Sequence, residues 1–211
     1  MGAKTAMLVY ADGAGVIPVL RGTTSTDAGE AAALLRRLWP ERDVEPDGEE
    51  PWALFEAVYP PEDTTCALAV PGLAIVCDQR IALDRPSQLP ARLVAAEGGR
   101  RVILHAMHSV VDWTAFAVWE DGRLIRSLSV APDFGILEDL GERLPFESTY
   151  WNGDHAVDGY PLPFHPLALG ERAMGELLGF YAEGLASDDE APAERVDAEA
   201  VELHGFLMRE R

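Results

Sequence analysis

The stretch that decides the fold is RVILHAMHSVVDWTAFAVWEDGRLIRSLSV, residues 101–130. Its dipeptide Asp121-Gly122 is typical of a type I′ turn, the two-residue turn that joins antiparallel strands. A second tight loop at residues 109–112 would reverse the chain once more. The stretch therefore predicts a three-strand antiparallel meander, with strands near 101–108, 113–120 and 123–130.

Charge pairing supports this register. It sets Arg101 opposite Glu120 and Glu120 opposite Arg123, so opposite charges meet across both ladders. Alternate side chains then divide between two faces. The face that we expect to be the core carries Val102, Leu104, Ala106, His108, Trp113, Ala115, Ala117, Trp119, Leu124, Arg126 and Leu128. The other face is mixed and is expected beneath a helix or beside a cleft; it carries Ile103, His105, Met107, Thr114, Phe116, Val118, Ile125, Ser127 and Ser129.

The rest of the chain has hairpins and few helices, without the regular alternation of a doubly wound sheet. We therefore predict an α+β fold, with an antiparallel or mixed sheet that includes the meander at about 101–130 and with helices mainly on one face. Further strands are predicted at 3–11, 16–20, on both sides of Pro71-Gly72, and at 201–208. Helices are predicted at 28–39, 52–59, 87–96 and 169–183. The acidic stretch 41–50 is expected to be an exposed loop, and the segment beyond Pro132 a long ordered loop with one helical turn near Leu137.

The length of 211 residues suits one domain, and we predict a single domain over residues 1–211. Within it, residues 186–195 are predicted to be an acidic linker to the C-terminal strand. The longest apolar run, Cys66 to Cys77, is too short for a membrane-spanning helix, and the N-terminus lacks an export signal. We therefore expect a cytoplasmic protein.

The charge balance restricts the possible partners. Thirty-six acidic residues face 17 basic ones, which gives a net charge of −19. A surface of this sign repels nucleic acid and anionic membranes, so neither is an expected partner. A basic protein partner is compatible with it.

The two cysteines lie at equal distances from Pro71-Gly72, so a hairpin would set Cys66 opposite Cys77. A disulfide is conceivable, but two buried, reduced thiols are the favoured interpretation.

Several segments together resemble an uncharacterised actinobacterial family of about this length, a domain of unknown function. The resemblance covers nearly the whole chain and rests on MGAKTAMLVYADG, VYPPED, VCDQR, DRPSQLP, LHAMHSVVDWTAFAVWEDGRLIRSLSV, YPLPFHPLALGE and ELHGF. It implies a cytoplasmic actinobacterial protein and assigns no catalytic residue.

No catalytic motif is complete. His105 and His108 have a spacing that suits a metal on a helix, but on a strand the two rings point to opposite faces. The chain has no G-x-S-x-G elbow for a nucleophilic serine. We therefore expect neither a metal nor a cofactor.

The candidate binding residues come from short stretches that are dense in unlike functional groups. Arg126 is expected on the apolar face, opposite Ala117 and near Trp119, either in an ion pair, stacked on a tryptophan, or as an anchor for an anionic ligand. The other candidates lie in two short stretches, and we expect these to meet where loop 109–112 approaches the 150–165 segment. Trp151 could instead cover the edge of the sheet. The full set is His108, Asp112, Trp113, Arg126, Trp151, Asp154, His155 and His165.

Two functions remain open from the sequence. The favoured one is a non-enzymatic cytoplasmic binding protein, with a basic protein as the candidate partner. The alternative is a hydrolase with a His/Asp/Arg site formed by His105 or His108 together with Asp112, Arg126 and His155.

Overall fold

One antiparallel sheet of ten strands organises the part of the chain that the computed structural model describes, residues 2–13, 15–23, 25–48, 50–96, 100–182 and 195–211. Nine strands follow the order β2-β10-β4-β5-β1-β6-β7-β8-β9, and β3 pairs with β10. The strands are β1 (Lys4–Ala11), β2 (Arg42–Pro46), β3 (Trp52–Ala53), β4 (Thr64–Val70), β5 (Leu73–Cys77), β6 (Arg101–His108), β7 (Trp113–Glu120), β8 (Arg123–Ala131), β9 (Gly135–Gly141) and β10 (Glu202–Glu210).

Helices cover both faces of this sheet. They are α1 (Val16–Gly22), α2 (Ala28–Leu38), α3 (Leu54–Ala57), α4 (Ala91–Ala95), α5 (Ser148–Trp151) and α6 (Pro166–Leu178). The two apolar cores follow the alternation of the central strand β1, in which Met7 and Val9 face one core and Leu8 and Tyr10 the other. Residues of α1, α3, α5 and α6 lie in the first core, and those of α2 and α4 in the second. The α+β class and the antiparallel sheet are as predicted, whereas the placement of helices mainly on one face is not confirmed.

The meander forms as predicted. Strands β6, β7 and β8 pair in order, and Arg101 lies 3.9 Å from Glu120 across the first ladder. Asp121 and Gly122 both have positive φ, 49° and 75°, as a type I′ turn requires. The loop at 109–112 closes the other hairpin, with Ser109 N donating to the Ala3 carbonyl.

The predicted position of Arg126 is wrong by one residue. A bulge between Val118 and Trp119 shifts the register of β8, so Arg126 lies opposite Val118 rather than Ala117. Because one extra residue moves all later side chains to the other face, Arg126 and Leu128 point to the first core. A bulge leaves no clear signal in this stretch, so the simple alternation could not reveal it.

Several local predictions are corrected by the structure. Residues 16–20 form the helix α1 rather than a strand, and the acidic loop 41–50 contains β2, which pairs with β10. The segment near Leu137 is the strand β9 rather than a helical turn. The helix predicted at 52–59 is reduced to the four residues of α3 behind the short strand β3.

The predicted C-terminal strand is present as β10, which lies between β2 and β4 in the sheet. Of the predicted linker 186–195, residues 186–194 lie outside the described residues. Helix α6 ends at Leu178, before the predicted residue 183, because Gly179 adopts the left-handed conformation at its C-terminus, with φ 85°. The single domain stays a prediction. No described helix is long and apolar enough to cross a membrane.

The two cysteines lie directly opposite each other in the β4–β5 hairpin, and both are buried free thiols, as favoured from the sequence. Burial, with the nearby Asp47 and Asp78 carboxylates, raises the pKa of Cys66 to about 12. Burial also raises the pKa of Cys77. Both side chains therefore pack as small apolar groups rather than as thiolates.

Candidate binding pocket

A pocket of about 560 Å³ opens at the end of the sheet where β6 stops and β7 begins. Segments that are distant in the sequence supply its walls, because the sheet order brings the ends of β6, β7, β8 and β9 together. Apart from the aromatic and polar residues named next, the lining of the pocket consists mostly of aliphatic side chains. Its aromatic and polar residues are Tyr59, Gln79, Asp84, His108, Trp113, Asp133 and Phe134.

His108 occupies the last position of β6, directly across from Lys4 on β1. Its ring meets the Tyr59 ring edge-on, with centroids 6.4 Å apart, and the Lys4 Nζ lies 5.5 Å from the centre of the same Tyr59 ring. Burial, and then the Lys4 charge, lower the pKa of His108 below its ordinary value. The imidazole is therefore neutral near pH 7 and adds no positive charge to the pocket.

Trp113 forms a fixed wall. It is buried at the start of β7, and its Nε1 donates a hydrogen bond to Ser129 Oγ at 3.0 Å. Because the only polar atom of the indole is bonded inside the sheet, the rest of the ring presents an apolar surface to the pocket.

The two charged residues that line the pocket are both acidic, although the Lys4 ammonium lies nearby, 5.5 Å from the centre of the Tyr59 ring. Asp84 and Asp133 are exposed at its mouth, and no described lining residue is Arg or Lys. Two carboxylates beside an apolar wall produce a negative potential, which is stronger than in bulk water because the wall has a low dielectric constant.

A second group of predicted residues meets on the other side of loop 109–112. Asp112 Oδ2 accepts a hydrogen bond from Tyr160 Oη at 3.3 Å and lies 3.5 Å from His165 Nε2. The Tyr160 and His165 rings stack at 5.1 Å. Desolvation and the Asp112 charge raise the pKa of Tyr160 to about 12, so its hydroxyl remains a donor. The predicted approach of loop 109–112 to the 150–165 segment therefore occurs at Asp112.

Arg126 forms a buried ion pair rather than a ligand anchor. Its guanidinium donates to Glu147 through Nε at 2.9 Å and Nη2 at 2.7 Å, and it also pairs with Asp139. Burial alone would lower the pKa of Arg126, but the hydrogen bonds with Glu147 and Asp139 outweigh it and raise the pKa. With carbonyl bonds to Ser127 and Leu140 as well, all three nitrogens of the guanidinium have protein partners.

Trp151 belongs to the same buried network. Its Nε1 donates to Glu147 Oε2 at 3.2 Å, and the Arg143 guanidinium lies 4.0 Å from its ring centre. Its ring also meets Phe164 edge-on at 5.0 Å. These contacts match the interpretation in which Trp151 covers the sheet.

The described contacts of His155 and Asp154 are with residues of α5. The His155 ring stacks on Tyr150 at 4.1 Å, and its Nε2 is 3.2 Å from Thr149 Oγ1. Asp154 is exposed, and its backbone N–H donates to the Thr149 carbonyl. Both residues therefore stabilise the turn after α5.

His105 lies on the opposite face of β6 from His108, as the strand pattern predicts. Its Nε2 donates to the Gly170 carbonyl of α6 at 2.9 Å, and its Nδ1 accepts from Thr5 Oγ1 at 3.0 Å. Complete burial lowers its pKa to about 4. Within the described residues, no group of three or more His, Cys, Asp or Glu side chains could hold a metal ion.

Five of the seven aromatic and polar lining residues are absent from the set predicted from the sequence: Tyr59, Gln79, Asp84, Asp133 and Phe134. They come from three separate segments and converge only through strand pairing. A signal was present for the last two, because the turn-rich stretch PDFG precedes a short apolar run. Its interpretation as a loop concealed the β8–β9 hairpin that carries Asp133 and Phe134 to the pocket.

The comparisons with known proteins place the chain in a family but give no activity. A search of the curated proteins and a search of the solved structures each returned no match. A family model matches residues 5–206, nearly the whole sequence. The chain therefore belongs to the family of unknown function DUF6928.

Proposed function

We propose that the protein is a non-enzymatic binding protein whose pocket receives an apolar group with a cationic end, supplied by a basic protein partner. The observation that supports this proposal is the charge of the pocket: Asp84 and Asp133 lie at its mouth, and no described lining residue is Arg or Lys. An anionic ligand would meet repulsion there, whereas an ammonium or guanidinium group would be attracted.

The inner walls suit the apolar part of such a group. Tyr59, Trp113 and Phe134 provide aromatic surface, and the volume of about 560 Å³ lies in the range of pockets that hold small organic ligands. An aromatic face also attracts a nearby cation. The lining therefore matches a side chain or small molecule that is apolar along its length and positive at its tip.

The rim suits a protein surface. Val110 is 76% exposed, Val111 48% and Phe134 74%, and the last two line the pocket mouth. Clustered exposed apolar side chains mark interaction sites on soluble proteins. A central pocket surrounded by such a rim is the usual arrangement for an interface anchor residue.

The net charge supports a basic partner. At −19, the chain attracts cationic proteins over long range and increases their association rate at low salt. The buried free thiols of Cys66 and Cys77 fit a reducing compartment, so we place this binding in the cytoplasm.

The hydrolase alternative lacks comparable support. Arg126 is bound to Glu147 inside the protein, His155 stacks on Tyr150, and His105 is buried against α6. These groups have separate partners, and nothing described joins them to Asp112 in one site.

Two indole probes of opposite charge test the proposal by isothermal titration calorimetry. Tryptamine carries an ammonium group and indole-3-acetate a carboxylate on the same ring system. We expect tryptamine to bind about tenfold more tightly, or better, and to weaken as salt is added. Equal affinities, or tighter binding of indole-3-acetate, would overturn the proposal.

Variants of the two aspartates at the mouth test whether tryptamine binds in this pocket. Asp84→Asn with Asp133→Asn removes both charges at the mouth while it keeps the size of the side chains. The double variant should lose the preference for tryptamine. Glu202→Gln is the control, because Glu202 is exposed at the start of β10, seven strands from β9 in the sheet order. If the double variant and Glu202→Gln changed the preference for tryptamine equally, this would contradict a site at this pocket.

A further inference from the structure

Strand β9 forms one edge of the sheet, and its described strand partner is β8 alone. It runs for seven residues, Gly135–Gly141, without proline or lysine, the residues that commonly block edge pairing. At the opposite edge, β2 ends at Pro46 and carries the ion pairs Arg42–Glu210 and Asp43–Arg211. β9 also carries an ion pair, Asp139–Arg143, and contacts Ser87 through Glu138, so it differs from β2 mainly in the absence of proline.

Exposed apolar side chains also lie along the β9 edge, on both faces of the sheet, because a bulge at Leu137 separates Ile136 from Leu140. Ile136 is 48% exposed and Leu140 is 45% exposed, and Phe134, just before the strand, is 74% exposed. Three large apolar side chains along one edge strand are unusual, because such an edge favours pairing with another chain.

One carbonyl of this edge already accepts a donor from outside the ladder. The Arg85 Nη1 donates to the Leu137 carbonyl at 2.8 Å in an exposed hydrogen bond. An arriving peptide N–H could replace this exposed guanidinium at little cost, because the guanidinium would return to water.

The edge is continuous with the pocket. Phe134 and Leu137 line the pocket and also belong to the approach and the body of β9. A chain that lies along β9 would therefore pass the pocket mouth, and because side chains alternate along a strand, one of them could enter it. The edge of β9 and the pocket can therefore bind the same ligand.

The charge of the bound chain distinguishes two candidates for the β9 edge, a second copy of this protein and a basic segment of another protein. A second copy would bring another −19, and the two carboxylates at the pocket mouth would repel its acidic surface. An extended segment with alternating basic residues is instead attracted by these two carboxylates and supplies the cationic group for the pocket.

We propose that an extended, basic segment of the partner protein adds to the sheet as a strand beside β9 and places one side chain in the pocket. Main-chain hydrogen bonds to β9 supply affinity, and the pocket fixes the register, as in other cases of strand addition. This inference rests on the proposed function and specifies how the partner is held.

The test uses the synthetic peptide Ac-Lys-Trp-Lys-Val-Lys-Val-Lys-amide and two N-methylated forms of it. One form is methylated at the Trp and Val residues and the other at the internal Lys residues, so each loses the N–H donors of one edge without a change in charge. Strand addition predicts that one form binds at least about tenfold more weakly than the other. It also predicts slower hydrogen exchange in residues 135–141 when the unmodified peptide is bound.

A pair of protein variants gives a second measurement. Ile136→Thr keeps a β-branched residue but removes exposed apolar surface from β9, and should weaken binding of the peptide. Phe55→Ala is the control, because Phe55 is also 48% exposed but lies on α3. Equal affinity of the two methylated forms, or unchanged exchange at residues 135–141, would overturn strand addition.

The outcomes separate this inference from the proposed function. If the peptide binds without asymmetry between its methylated forms but loses affinity in the Asp84→Asn, Asp133→Asn protein, the pocket proposal stands and strand addition fails. If the peptide does not bind at all, strand addition is again overturned, and the tryptamine titration decides the pocket proposal independently.

Discussion

Arg126 and Glu147 form a two-pronged ion pair inside the protein, with Nε–Oε1 2.9 Å and Nη2–Oε2 2.7 Å and both side chains fully buried. The pair links β8 to the turn before α5, and the same carboxylate also accepts bonds from the Leu144 backbone N–H and from Trp151 Nε1. One carboxylate thus fixes a segment that has few strand contacts of its own.

Loss of one partner of this pair should be costly. Arg126→Met leaves the Glu147 charge buried without its cation, so we expect the free energy of unfolding to fall by about 3–5 kcal/mol. Urea denaturation followed by circular dichroism measures it. Arg123→Met, at the exposed start of the same strand, should change stability by less than about 0.5 kcal/mol. Similar losses for both variants would contradict a structural role for the Arg126 pair.

His105 should make stability depend on pH. Its pKa in the folded protein is about 4, below the ordinary value of 6.5. As the pH falls from 6.5 to 4, the unfolded chain takes up the proton first, so the folded state loses stability, by roughly 3 kcal/mol in total.

Unfolding curves at several pH values measure this contribution. His105→Gln keeps a donor for the Gly170 carbonyl but does not titrate, so its stability should fall less steeply over this range. Gln88→Asn is the control and should follow the wild-type slope, because Gln88 is exposed and carries no titratable group. Parallel curves for wild type and His105→Gln would show that His105 does not titrate as a buried neutral ring.

Cys66 and Cys77 should be unreactive in the native protein. Both thiols are buried, and their raised pKa values leave almost no thiolate at pH 8. Titration with a chromogenic disulfide reagent should detect almost no thiol until denaturant is added, and then two per chain. Rapid reaction of the folded protein would contradict their burial, and absence of thiol after unfolding would indicate a disulfide.

Substitution by alanine should reduce stability to different extents at the two glycines that begin and end β9. Both have positive φ, 69° at Gly135 and 82° at Gly141, so each substitution costs about 1–2 kcal/mol in backbone strain. At Gly141 an added Cβ would also overlap the Ile125 carbonyl oxygen, whereas Gly135 has open space. Thermal unfolding should therefore show a distinctly larger loss for Gly141→Ala, and equal losses would contradict the close approach of β8 and β9.

The sequence predicts the meander because its strands are long, alternate regularly, and meet at a turn with a specific chemistry. The same reasoning fails for β9, whose short run GILEDLG has glycine at both ends and two acids in the middle. Glu138 in that run is buried because it accepts hydrogen bonds from Ser87 and Ser127, partners that only the tertiary structure supplies. β2 was missed for a related reason, since its partner β10 lies more than 150 residues later in the chain.

The candidate site was predictable only in part. His108 and Trp113, which line the pocket, could be predicted because both flank a loop that the turn pattern identified. Arg126 was placed on the wrong face because of the bulge, although the ion-pair interpretation of a buried arginine was correct. Asp84 gave no signal, because a single aspartate in a polar loop is ordinary, and the pocket that it shares with Asp133 depends on the sheet order.

The proposed ligand of the pocket beside His108 is a cationic, apolar group. Intermolecular nuclear Overhauser effects between tryptamine and the protein test it most directly, because they report which side chains touch the bound indole. We expect contacts from the indole protons to Met107, Trp113 and Phe134, and their loss in the Asp84→Asn, Asp133→Asn protein. Contacts confined to other parts of the surface, or none at saturating tryptamine, would contradict it.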